Sequence, residues 1–245
     1  MAPRRIKKQK RVRPNLGLDY NFSMLPIKDE LKHRRFPIWT VILIGINVAV
    51  FIYQFFNPEG FAGFIALWGF TPARFFTFLD WPTIFSSMFM HANLLHIAGN
   101  MLYLWIFGDN VEDVLGRVFF PVFYLLSGVA AVFAHALLFP DSSIPLVGAS
   151  GAISGVLGAY LLFFPRARIM TLMFYGGLAR IPSFIYLLIW IGFQVANAWL
   201  TAAQGGAGVA YLAHAGGFLA GLALGLPFWI IRRVMGLYPF SSWRS

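Results

Sequence analysis

The chain has 245 residues, 59% of them hydrophobic and 11% charged, with a mean hydropathy of +0.70, well outside the usage of soluble globular domains. It has no cysteine, which excludes disulfide frameworks, thiolate metal sites and a cysteine nucleophile. A formal net charge of +10 would suit a nucleic-acid binder, but eleven of the nineteen Lys and Arg precede residue 36; the chain therefore reads as a polytopic membrane protein in a lipid bilayer, with no nucleic-acid partner.

Residues 1–35 carry Arg4, Arg5, Lys7, Lys8, Lys10, Arg11 and Arg13 with no sustained apolar period. They read as a mostly disordered cytoplasmic arm that can rest on anionic lipid. The first apolar run is too long for a secretory signal, and no small-residue cleavage site ends it, although an Arg-rich, acid-poor start also fits an organelle transit peptide. Apolar runs near the length that crosses a hydrocarbon core of ~30 Å fall at 37–56, 92–108, 117–139, 150–164, 183–201 and 209–231. The expected fold is all-α, a six-helix domain over residues 36–233 with a short cytoplasmic tail at 234–245.

Six crossings leave both termini on one side. The arm, Arg117, Arg166, Arg168, Arg180, Arg232, Arg233 and Arg244 then share that side, and Arg74 alone faces the other, so the positive-inside rule orients the bundle N-in, C-in. With no seventh span and no soluble domain, the expected home is a bacterial or archaeal plasma membrane. The loop over about 58–90, with Trp68, Trp81, Pro58, Pro72 and Pro82, suits the outer membrane interface better than water.

The second span opens with His91-Ala92-Asn93-Leu94-Leu95-His96-Ile97-Ala98-Gly99-Asn100. His96 and Asn100, four residues apart, share a helix face and can both donate hydrogen bonds while neutral. A metal would need a third ligand; His91 is poorly aligned with His96 and no carboxylate falls in the motif, so no metal is expected. His91 more naturally ties down the preceding loop, and His135 on the third span reads as structural. Glu112, between Gly108 and Gly116, sits at the opposite end of the bundle from Ser150, which points to a structural hydrogen-bonding role.

The fourth span is short and opens at Gly148-Ala149-Ser150-Gly151. Its start below the outer surface requires a protein-lined depression, because irregular backbone is not tolerated against lipid. Taken by itself the tetrapeptide is better read as an N-cap serine than as a nucleophile; the soluble hydrolase elbow is not matched, because Ala152 takes its last glycine. Gln194 and Asn197 on the fifth span read as interhelical polar glue.

On the sixth span, Gly217, Gly221 and Gly225 recur every four residues and make a smooth face, three residues beyond His214. Gly151, Gly155 and Gly158 give the fourth span a comparable surface, so close packing of the two would carry His214 toward Ser150. An intramembrane histidine facing a serine is a functional-site hypothesis by default. His96, Asn100 and the Ser150 N–H would then suit an oxyanion.

These residues resemble the rhomboid intramembrane serine proteases. His91, His96 and Asn100 resemble the family's H-x4-H-x3-N signature, Glu112 its G-x3-E-x3-G element, Gly148–Gly151 its nucleophile motif, and Ala213-His214 with Gly217 its A-H-x2-G element. The resemblance covers about residues 37–231. It implies a Ser150–His214 dyad without an acidic third member, oxyanion stabilisation by His96 and Asn100, structural roles for His91, Glu112, Gly217 and Gly221, no cofactor, and transmembrane segments of other proteins as substrates that enter laterally. The alternative is a catalytically inactive relative acting as a binding or quality-control module. Two departures stand out: Trp81-Pro82 where the best-studied branch shows Trp-Arg, and Ser154 where some members place a tyrosine that stacks on the histidine. Something else must orient His214. Physiological substrate, cut-site preference and oligomeric state are not encoded in these motifs.

Overall fold

The computed structural model describes residues 24–31, 35–173, 176–203 and 211–237. Most of the expected basic arm, residues 1–23, and the end of the tail, 238–245, lie outside the described residues. Chain order is strand β1 (Met24–Asp29), helices α1 (Ile38–Phe56), α2 (Gly60–Trp68), α3 (Pro72–Phe78) and α4 (Pro82–Ser86), helix α5 (Leu94–Leu138), helix α6 (Ser150–Phe163), strands β2 (Arg168–Met173) and β3 (Leu178–Pro182), and helices α7 (Ser183–Ala203) and α8 (Tyr211–Val234). Four helices, α1, α5, α7 and α8, are long and apolar enough to cross a bilayer. The protein is a multi-pass integral membrane protein.

Helix α5 runs for 45 residues but breaks at Gly116, where φ 77° and ψ 168° leave the helical region. A positive φ costs glycine nothing and strains other residues, so the break falls where the sequence places Gly116. The two arms correspond to the second and third apolar runs. Helix α6 has 14 residues, about 21 Å at 1.5 Å per residue, and most of it is buried inside the bundle. Protein rather than lipid surrounds its ends.

The expectation of an all-α fold needs correction. β1, β2 and β3 form a three-stranded antiparallel sheet in that order, with Met24 opposite Met173, Asp29 opposite Ile169, and Arg168 opposite Pro182. The arm expected to be disordered thus holds a strand at Met24–Asp29, because the segment joining α6 to α7 folds back as a hairpin and offers an edge for pairing. Tyr160 of α6 donates to Asp29 Oδ2 at 2.6 Å, and Asn110 of α5 donates to the same oxygen at 2.9 Å. These bonds tie the strand to the helices beneath it.

Helix α1 carries a polar stripe that composition concealed: Thr40, Asn47 and Gln54, seven residues apart, are all fully buried. Glu112 of α5 accepts from the backbone N–H of Trp39 (3.0 Å), the N–H of Thr40 (2.9 Å) and the Thr40 hydroxyl (2.9 Å). A carboxylate there satisfies free N–H groups of the first turn and meets the positive end of the helix dipole. At the other end of α1, the Gln54 amide bonds the backbone of His91 in both directions, at 3.2 and 3.1 Å.

The segment between α1 and α5 is braced by Arg74. Its guanidinium donates to the carbonyls of Ala66, Leu67 and Gly69 at 2.6, 2.9 and 2.8 Å and pairs with Asp80 at 2.9 Å. The aromatic side chains Phe76, Phe78, Trp68 and Trp81 remain exposed, as expected of an interfacial loop.

Candidate active site

The site is built where α6 and α8 touch. A Cβ on Gly217 would lie 2.1 Å from the Gly151 carbonyl oxygen, and one on Gly221 would lie 1.9 Å from that of Gly155. Gly225 faces Ala159 in the same register. Only glycine permits this approach, and the matched four-residue steps show the two helices running in parallel. One turn before Gly217 on α8 stands His214; one residue before Gly151 on α6 stands Ser150. Their side chains therefore meet: His214 Nε2 lies 2.8 Å from Ser150 Oγ.

Ser150 is the first residue of α6, and Ala149 holds the cap position without a side-chain bond. The N-cap reading of the serine is thereby corrected, because its hydroxyl is engaged by the imidazole instead of by backbone. The first intrahelical bond joins the Ile153 N–H to the Ala149 carbonyl at 3.0 Å, so the N–H groups of Ser150, Gly151 and Ala152 have no partner within the helix. They form a ready site for a developing negative charge. Just upstream, Gly148 has φ 130° and donates its N–H to the Ser87 carbonyl at 2.9 Å.

His96 closes the opposite wall. A Cβ on Gly148 would lie 2.8 Å from His96 Nε2 and 3.5 Å from Ser150 Oγ, so the His96 ring packs on the glycine beside the serine. Its Nδ1 accepts the Ala92 N–H at 3.3 Å, which leaves the ring proton on Nε2, the nitrogen facing the site. The helix start that holds it is fixed by Asn93, whose side chain accepts the His96 N–H at 2.9 Å. Asn100, one turn further along, is buried, and its Nδ2 has no hydrogen-bond partner among the described residues. A buried donor without a partner is what an intermittent negative charge requires.

His91 is fully buried against the rings of Phe51 and His96. Held through its backbone by Gln54, it anchors the end of the α1–α5 loop and does not reach the serine. Glu112 lies at the first turn of α1, away from the serine. A small, largely enclosed cavity bordered by Ser87, Met88, Gly128, Ala131, Val147 and Ala213 lies beside Ser150.

Two α7 residues flank His214 in the place expected for an aromatic on α6. Ser154, at that position, turns its hydroxyl back to the Ser150 carbonyl at 2.6 Å and gives the imidazole nothing to stack on. Instead Trp190 lies with its ring centroid 6.1 Å from that of His214, and Gln194, one turn on, has Oε1 2.7 Å from His214 Nδ1. Gln194, read from the sequence as interhelical glue, does bond from one helix to the next, and its partner is the imidazole itself. Asn197, expected to play the same part, bonds the Phe193 carbonyl of its own helix at 2.8 Å. Periodicity offered no means of finding the Gln194 contact, because the pattern of a helix does not set its rotation against a neighbour.

Residues 79–231 match the family described as Rhomboid domain. The chain belongs to the rhomboid family. Among its rhomboid relatives, Rhomboid protein 1, mitochondrial, of Saccharomyces cerevisiae is 32% identical over 205 residues, covering 79% of this chain and 53% of the yeast protein. Rhomboid protease GluP of Bacillus subtilis is 35% identical over 148 residues, 60% of this chain and 27% of that protein. Rhomboid protease AarA of Providencia stuartii is 30% identical over 140 residues, 51% of this chain and 50% of that protein. The chain thus spans about half or less of the length of these three relatives. The matched rhomboid segment contains His91, His96, Asn100, Glu112, Ser150 and His214.

Proposed function

We propose that this protein is an intramembrane serine endopeptidase that cleaves transmembrane segments of other membrane proteins with a Ser150–His214 dyad. The observation that carries the reading is the 2.8 Å contact between Ser150 Oγ and His214 Nε2, held at the first turn of a short, protein-enclosed helix. Ser150 Oγ attacks the scissile carbonyl carbon as its proton passes to His214 Nε2. The imidazolium then returns that proton to the leaving amine, and water releases the acyl group by the same route in reverse. The Ser150 N–H, the Nε2–H of His96 and the Asn100 amide donate to the oxyanion. A helix hides its carbonyls in its own hydrogen bonds, so the substrate class is a transmembrane segment with small or helix-weakening residues near the cut.

The break at Gly116 divides α5 into two arms, and α6 supplies a further short crossing; with α1, α7 and α8 this gives six spans. The placement of Lys and Arg supports N-in, C-in, with the β1–β3 sheet and residues 1–35 on the cytoplasmic side. The relatives include bacterial proteases and mitochondrial proteins alike; a bacterial or archaeal plasma membrane is the home proposed from the sequence.

The test is cleavage of a panel of model transmembrane substrates in liposomes, with labelling of the nucleophile by a fluorophosphonate. Ser150→Ala and His214→Ala are each expected to abolish cleavage, and Ser150→Ala to abolish labelling, without loss of the folded state. Retained cleavage by either variant overturns the dyad, and a parent protein that neither cleaves nor labels supports the inactive binding-module alternative.

A further inference from the structure

We infer that Gln194 is a positioning residue that selects the proton-accepting tautomer of His214, a role that rests on the proteolytic reading above. A neutral imidazole carries one ring proton, and its partners decide which nitrogen holds it. Gln194 Oε1 lies 2.7 Å from His214 Nδ1, and a carbonyl oxygen can only accept. Nδ1 must therefore be the protonated nitrogen. That leaves Nε2, 2.8 Å from Ser150 Oγ, with its lone pair free to accept the hydroxyl proton. The reverse tautomer would present an N–H to the serine and disable the base.

The same bond acts later in the reaction. When Nε2 takes the serine proton, both ring nitrogens become donors, and Nδ1–H stays bonded to the amide oxygen, so the ring does not rotate while charged. Gln194 thus supplies without charge the orientation that a carboxylate supplies in soluble serine hydrolases. Trp190, one turn earlier on α7, lies against the ring. Both contacts come from α7, so the support that an aromatic at position 154 would have provided is relocated to a different helix, and Ser154 is free to bond its own backbone.

The experiment compares Gln194→Leu, close in volume and unable to accept a hydrogen bond, with Gln194→Glu, which keeps an oxygen at the same reach. Gln194→Leu is expected to lower kcat by about 10- to 100-fold, less than the roughly 10⁴-fold cost of a wrong tautomer in a charged triad, while KM stays within about twofold because no substrate contact is lost. Gln194→Glu is expected to restore most of kcat. ¹⁵N spectra of ring-labelled His214 in micelles are expected to show the proton on Nδ1 in the parent and a mixture of tautomers in Gln194→Leu. Parent kcat in Gln194→Leu, failure of Gln194→Glu to restore the rate, or a parent ring protonated at Nε2 would each overturn the inference. Ser150-dependent cleavage by the parent upholds proteolysis whatever these variants do. If the parent lacks such cleavage, proteolysis fails and the ring spectrum alone decides the role of Gln194.

Discussion

At Gly148 two demands fall on one residue. Its φ of 130° lies in a region that side chains avoid, and a Cβ there would press on His96 Nε2 at 2.8 Å. The glycine beside Ser150 is thus a requirement of both backbone and neighbouring ring. Asn100 makes a sharper prediction. Its buried Nδ2 has no hydrogen-bond partner among the described residues, so Asn100→Ala is expected to leave thermal stability near that of the parent while lowering kcat by about 10²–10³, the usual effect of an oxyanion donor. Steady-state kinetics alongside a melting curve in detergent check the two halves separately. Glu112 is the opposite case. Glu112→Ala strips the partner from Trp39 N, Thr40 N and Thr40 Oγ1, so a loss of about 2–4 kcal/mol is expected, read as a lower melting temperature. The motif around Glu112 was legible in the chain, but its partners lie more than seventy residues earlier and no local pattern named them.

Between elements, the α6–α8 contact sets Ser150 beside His214. Gly221→Ala would place a methyl 1.9 Å from the Gly155 carbonyl oxygen, a backbone atom that can yield only if the helices part. Two turns away, Ser150 and His214 would separate. Loss of fluorophosphonate labelling together with a lower melting temperature is expected, whereas Gly45→Ala on α1, where a Cβ meets nothing within 4 Å, is expected to be neutral or slightly stabilising, by about 0.4–1 kcal/mol. Equal behaviour of the two variants would show that the glycine face does not hold the site together.

The sheet carries a separate prediction. Burial pushes the Asp29 carboxyl up from 3.8 to about 7, with the nearby Asp109 adding to the rise and the Tyr160 hydrogen bond opposing it. The folded chain therefore holds this proton more tightly than the unfolded chain, and the resulting stability is complete below about 3.8 and lost as pH rises through about 7. Melting temperature should fall between pH 5 and pH 8, and Asp29→Asn should flatten that fall; an unchanged slope in the variant would remove Asp29 as its source. None of this was legible beforehand. Met24–Asp29 and Arg168–Met173 are short, and each becomes a strand only when its distant partner arrives.

For the whole molecule, hydropathy is a strong guide because lipid imposes a simple condition, that long apolar runs cross, while the basic residues predict which side faces inward. The lack of cysteine makes the topology easy to test. Single cysteines at Thr77, on the exposed face of α3, and at Gly176, between β2 and β3, should react with an impermeant maleimide from opposite faces of oriented vesicles, Thr77 from outside. Labelling of both from one face would overturn the N-in, C-in assignment.

The six apolar runs, the glycine steps on α6 and α8 and the polar residues Ser150, His214, His96 and Asn100 could be read from the chain because each answers to a local rule: a length that spans hydrocarbon, a period that makes a face, a side chain that lipid would reject. Helix rotation and long-range pairing obey no such rule. Tertiary packing alone turned Gln194 onto His214, carried Trp39 and Thr40 to Glu112, and brought β1 to β2 across more than 130 residues. Those contacts depend on where whole elements come to rest, and that position is a sum over many packed surfaces rather than a property of any one segment.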